Sequence, residues 1–194
     1  GDEEIRSADA VILSIGTFDS EGWDRPFDLP AATDSLVERI TSLNAHTIVV
    51  VNSGSGINMS RWNTRAAAIV YAWYGGQTGA RAVAEILSGK VNPSGKLPVT
   101  IEKDFKDSPG YGYLPAGATL YSGWNDPAER LHPVFDVPYK EGIFVGYRWY
   151  EKNSIEPLYP FGFGLSYTSF SYSHLRIPAK VFRAGESLSV TFTV

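Results

Sequence analysis

Residues 10–30 read AVILSIGTFDSEGWDRPFDLP, an apolar run of strand length followed by a polar loop that holds acids, a tryptophan and an arginine. Gly16 closes the run 10–15, so the loop leaves that strand at its carboxyl end. In open α/β sheets this is the side where ligands bind. Within the loop, Glu21 is followed by Gly22, which lets the backbone turn, and Trp23 offers an apolar face on which a sugar ring could stack. Glu21 is therefore the first candidate for chemistry.

Working outward, two more apolar runs have the composition of buried parallel strands: 47–51 (TIVVV) and 67–73 (AAIVYAW). Two helical patterns lie among them. The first, at about 33–43, places Leu36, Val37, Ile40 and Leu43 on one stripe, with Thr33 and Asp34 suited to its start. The second, at about 77–88, places Ala80, Val83, Ala84 and Leu87 on one face and stops at Gly89. This order of strands and helices is the rhythm of a parallel α/β sheet. A fourth strand is expected at 97–101, after the turn Asn92-Pro-Ser-Gly95.

From 102 to 138 neither period is sustained, which reads as a long surface excursion. The aromatic, glycine-rich segments 142–150 (GIFVGYRWY) and 158–172 are expected to form short strands and tight turns. Residues 173–194 alternate as strands do, with Leu175 and Ile177, then Leu188, Val190 and Phe192. Ending on TFTV, they read as the opening of a β-sandwich that is cut short.

Composition excludes several functions. The chain of 194 residues is 43% hydrophobic, enough for one main core. Seventeen basic against 21 acidic residues give a net charge of -4 without a basic run, which argues against nucleic acid as a partner. No apolar run approaches the roughly 20 residues that span a bilayer, and GDEEIRS has none of the marks of a signal peptide, so no membrane is expected and the chain reads as soluble or already processed. There is no cysteine, and His46, His132 and His174 are scattered, so no metal and no cofactor is assigned. Gly54-Ser-Gly56 follows a strand in the manner of a dinucleotide loop, but Met59 stands where the third glycine would be; the glycines read as a turn. Asp19 and Asp24 read as turn or cap residues, Asp24 paired with Arg25. Arg148, Trp149 and Tyr150 read as packing residues, while the pattern leaves open whether Tyr111, Tyr113 and Tyr121 line a binding face or cover the sheet.

The motifs SEGWDRPFDLP, HTIVVVNSGSGINM, AIVYAWYGGQTGARAVAEILSGKVNPSGKLPVT, YKEGIFVGYRWYEK and PLYPFGFGLSYTSFSY, in this order, resemble the C-terminal α/β-sandwich domain of glycoside hydrolase family 3, the β-glucosidase type. The resemblance implies residues 1–168 as that sandwich and 169–194 as the start of a fibronectin type III-like domain. It also implies a retaining, exo-acting glycosidase in which Glu21 is the general acid/base and Trp23 stacks the leaving group, while Asp24 and Arg25 hold the loop. The nucleophilic aspartate would belong to a (β/α)8 barrel that this chain lacks. The expected partners are thus a β-glucoside or oligosaccharide and the rest of the same enzyme, and the chain by itself is expected to be inactive. Secretion or a periplasmic location is the family expectation. The competing readings are a β-xylosidase, a non-catalytic carbohydrate-binding module and a flavodoxin-like nucleotide-binding domain.

The chemistry fits that reading. A retaining glycosidase needs two carboxyl groups roughly 5–5.5 Å apart, one ionised and one kept protonated until it donates to the leaving oxygen. An indole and a second carboxylate nearby both disfavour the charged form of a glutamate, which is the direction an acid catalyst requires.

Overall fold

The computed structural model describes residues 1–20, 25–112, 138–178, 181 and 183–194. Its centre is a parallel sheet of β1 (Val11–Gly16), β2 (Thr47–Asn52) and β3 (Ala68–Tyr71), in that spatial order. The register pairs Val11 with Thr47 and Gly16 with Asn52, then Ile48 with Ala68 and Val51 with Tyr71. All three strands run the same way, so their carboxyl ends lie side by side and the segments that follow them meet along one edge.

β2 lies in the middle, and Thr47, Val49, Val50 and Val51 are buried. β1 alternates instead. Val11, Leu13 and Ile15 are inward, while Ile12 is 60% exposed, so the expectation of a strand buried on both faces holds for β2 and not for β1. The core is completed by Leu29, Val37, Ile57, Met59, Trp62 and Ile101. Side chains of this kind each contribute about 1.5–3 kcal/mol on leaving water.

Around the sheet lie α1 (Asp2–Ser7), α2 (Ala31–Leu43) and α3 (Gly79–Leu87). α2 begins earlier than Thr33, because the Pro30 carbonyl accepts the amides of Thr33 and Asp34 and so starts the first turn. Its inward stripe is Asp34, Val37, Ile40 and Thr41; Leu36 faces out. In α3, Val83, Ile86 and Leu87 are half-buried, whereas Ala80 and Ala84, expected on the apolar face, are exposed. Gly89 follows with φ of +73°, the left-handed conformation that ends helices.

Two expected strands are corrected. Residues 97–101 do not join the parallel sheet. Their ends instead bond to the segment 158–163, through Leu97 N to Phe163 O at 2.8 Å and Ile101 N to Tyr159 O at 2.9 Å. Pro98 has no N–H to give a ladder, which limits the pairing to those two points. The second correction falls on 142–150, where φ is positive at Gly142 and Gly146 and a helix, α4 (Tyr147–Lys152), begins. Aromatic content suggested strand; on α4 it is used for packing. Tyr150 is buried, and Trp149 donates its indole N–H to Asp107 O at 3.0 Å. Arg148 is exposed.

Residues 173–194 contain an antiparallel pair, β4 (Ser173–Arg176) and β5 (Thr191–Thr193).

Candidate active site

In the segment after β1, Asp19 and Arg25 are tied to the sheet edge. Asp19 is the hub. Its carboxylate accepts from Thr17 Oγ1 at 2.7 Å, from the Gly54 amide at 2.6 Å and from the Tyr74 hydroxyl at 3.0 Å, and it forms an ion pair with Arg25 Nε. The Asp19 amide in turn donates to the Tyr74 hydroxyl oxygen at 2.8 Å. These donors come from the carboxyl ends of all three strands: Thr17 follows β1, Gly54 follows β2 and Tyr74 follows β3.

Arg25 makes further bonds to the turn after β2. Nη2 reaches Ser53 Oγ at 3.1 Å, Ser55 Oγ at 2.8 Å and Gly56 O at 3.0 Å, and Nη1 donates to Pro26 O at 2.9 Å. The planar guanidinium can serve the carboxylate and this loop together because its donors form a rigid fork. The loop is fixed from above as well, since the Tyr71 hydroxyl donates to Ser55 O at 2.6 Å.

The side chains of Asp19 and Arg25 are only 16% and 20% exposed, so their charges are screened less than those of a surface pair. Burial pushes the Asp19 carboxyl up, but the combined donors from Thr17, Arg25, Gly54 and Tyr74 outweigh it and hold the group well below the usual carboxylate range. Asp19 is a permanent anion at neutral pH.

Gly54 and Gly56 act as the turn expected of them. A Cβ at Gly54 would lie 2.9 Å from Tyr74 Cε2 and 3.1 Å from Asp19 Oδ2, so a larger residue here would push against both side chains.

Of the residues singled out in the sequence, Glu21, Trp23 and Asp24 lie outside the described residues, as do Tyr113 and Tyr121. Arg25 is paired with Asp19, to which the sequence gives no pointer. Sequence reasoning left Asp19 as a turn residue and passed over Tyr74 and Thr17. The available signal was position alone: each stands just past the end of an apolar strand. Tyr111 is exposed and meets Phe105 edge-on at 5.8 Å. Among the described residues no group of His, Cys, Asp and Glu could hold a metal ion.

A parallel α/β sheet whose strand ends converge on one charged loop defines an α/β domain with its site at the carboxyl edge. Residues 2–147 match the glycosyl hydrolase family 3 C-terminal domain, and the chain belongs to this family. A beta-glucosidase of Bacteroides ovatus is 38% identical, over 99% of this chain and 25% of that protein. A probable beta-glucosidase I of Aspergillus niger is 39% identical, over 98% of this chain and 22% of its own length. Among solved structures, the beta-glucosidase DesR of Streptomyces venezuelae, in complex with D-glucose, is similar with a TM-score of 0.80 at 36% identity, over 98% of this chain and 22% of that one. Beta-glucosidase 3B of Thermotoga neapolitana, in complex with alpha-D-glucose, has a TM-score of 0.79 at 32% identity, over 99% and 26%. The chain thus spans about a quarter of the length of these four relatives.

Proposed function

We propose that this chain is the acid/base-bearing domain of a retaining β-glucosidase, with Glu21 as the proton donor. The observation that carries the reading is the anchored loop at the sheet's carboxyl edge: Asp19 and Arg25 bracket Glu21 in sequence and are tied to the ends of β1, β2 and β3. The substrate is a terminal β-glucoside, by analogy with the relatives. A carboxylate from another domain of the same enzyme attacks the anomeric carbon; the bond to the leaving oxygen breaks and Glu21 gives that oxygen its proton. Water then attacks the glycosyl ester as Glu21 takes its proton, which restores both carboxyl groups. Trp23 forms the wall beside the leaving group. The antiparallel pair of β4 and β5 supports a fibronectin type III-like segment after the sandwich, and the exposed apolar residues Leu165, Phe170 and Leu175 suit a domain packed within a larger protein.

The test is Glu21→Ala in the full-length enzyme. Turnover of a glucoside with a poor leaving group should fall about 10²–10⁴-fold. A dinitrophenyl glucoside should lose far less in glycosylation, and azide should restore its turnover. Equal losses for both substrates, without rescue, would reject Glu21 as the acid/base.

A further inference from the structure

α4 carries Tyr147, Tyr150 and Glu151 at the spacing of three and four that gathers side chains on one face of a helix. Together they line a cavity of about 310 Å³. Past the helix the chain turns at Ser154, where φ is +53°, and Ile155, Pro157 and Pro160 add to the lining. These parts are tied to one another. The Ile155 amide donates to Tyr150 O at 2.9 Å, the amides of Leu158 and Tyr159 donate to Ile101 O at 2.9 and 3.1 Å, and the Tyr150 hydroxyl donates to Glu102 Oε1 at 2.6 Å. The volume lies at the small end of the roughly 300–1,000 Å³ range of small-molecule sites, and a lining already in place spares a ligand the cost of ordering it.

The chemistry of the lining selects what can enter. The Tyr147 ring is stacked on Phe161, with centroids 5.4 Å apart and planes 24° from parallel, yet the residue is 45% exposed. It is an aromatic surface held in place with area to spare. The Tyr147 and Ser154 hydroxyls can donate and accept, and the Glu151 carboxylate, which has no partner among the described residues, can only accept. Glu156 is already paired with Lys103 at 2.9 Å. Two carboxylates and no cationic side chain in the lining repel an anion. A quaternary ammonium calls for a cage of ring faces, whereas prolines and Ile155 make up much of this lining. A neutral ring with an apolar face and hydroxyl donors at its rim satisfies all three groups.

We propose that this cavity binds a single neutral pyranose, its C–H face on Tyr147 and two neighbouring hydroxyls donating to Glu151. The choice of glucose among pyranoses rests on the β-glucosidase reading above; the site does not depend on Glu21.

Hydrogen exchange of the full-length enzyme, with and without D-glucose, reads the site directly. Glucose should slow amide exchange in 147–160, and the concentration dependence of that slowing gives the site's own Kd, in the millimolar range expected of one sugar ring. Tyr147→Ala should weaken this Kd about 10-fold, and Tyr147→Phe, which keeps the ring, should restore most of the affinity. Glu151→Gln, at an exposed position, should weaken it several-fold. If Tyr147→Ala does not fold, Glu151→Gln decides alone.

Exchange in 147–160 that glucose leaves unchanged would overturn the proposal, as would a slowing that both Tyr147→Ala and Glu151→Gln leave unaltered. A segment already fully protected in the free enzyme would also overturn it, because another domain would then fill the cavity. Slowing by tetramethylammonium but not by glucose would replace the sugar with a cation. Glu21→Ala should keep the response at 147–160, so failure of its azide rescue would remove the acid/base reading and leave this site standing.

Discussion

Asp34 and Asp19 are both aspartates with little exposure, and their surroundings drive them in opposite directions. Asp34 accepts the indole N–H of Trp62 at 3.0 Å, and Trp62 has no exposed surface. Burial raises the Asp34 pKa more than the Trp62 bond and the Arg61 charge lower it, and Glu38 and Asp28 add to the rise. A raised acid binds its proton more tightly when folded, so its contribution to stability is largest at low pH and declines as pH rises past the unfolded value of about 3.9. Asp34→Asn keeps an acceptor for Trp62 and removes the buried charge; its denaturation midpoint at neutral pH should equal or exceed that of the parent. Asp34→Leu strands the indole N–H and should cost about 1–3 kcal/mol. A leucine variant as stable as the asparagine one would refute this account. In the sequence Asp34 reads as a helix-start residue, since nothing in its neighbours reveals that Trp62, 28 positions on, comes back to it. The same holds for Asp19, whose donors at Gly54 and Tyr74 are 35 and 55 residues away. Glu21, by contrast, is a candidate on its own motif alone.

At the scale of elements, hydrophobic period located β1, β2, β3, α2 and α3, and it failed where glycine and proline intervene. The run 97–101 has strand composition, yet only its end residues, Leu97 and Ile101, bond to 158–163, with Pro98 between them. Segment 142–150 has strand-like aromatics, yet positive φ at Gly142 and Gly146 cuts the extended chain and α4 follows. Composition cannot distinguish these cases because Tyr and Trp serve either element when partly buried. The contact between the Asn92–Gly95 turn and the segment near Phe163 is close enough to test. A Cβ on Gly164 would run into the Gly95 carbonyl oxygen, a backbone atom that cannot swing aside. Gly164→Ala should therefore cost about 1–3 kcal/mol, read from chemical denaturation. An alanine variant with an unchanged midpoint would mean that the two segments separate freely.

For the whole molecule, the fold class was readable because a parallel sheet needs long apolar strands at helix-spaced intervals, and this chain has three. The openness of one face of β1 was not readable, since a run such as AVILSI has the same composition whether one face or two are covered. The same architecture ranks its parts by how seldom they open. β2 is hydrogen-bonded on both edges and lined by buried residues, whereas α3 buries none completely. Amide hydrogen exchange should thus be slowest in β2 and faster in α3. Gly54 lies two residues past β2, on exposed backbone, and its amide is given to Asp19. That amide should exchange nearly as slowly as the strand before it, and markedly faster in Asp19→Asn; fast exchange in the parent would show that the carboxylate contact is lost most of the time. Asp19 is thereby moored to the part of the protein that unravels last, so its bond to Gly54 should outlast every opening short of global unfolding.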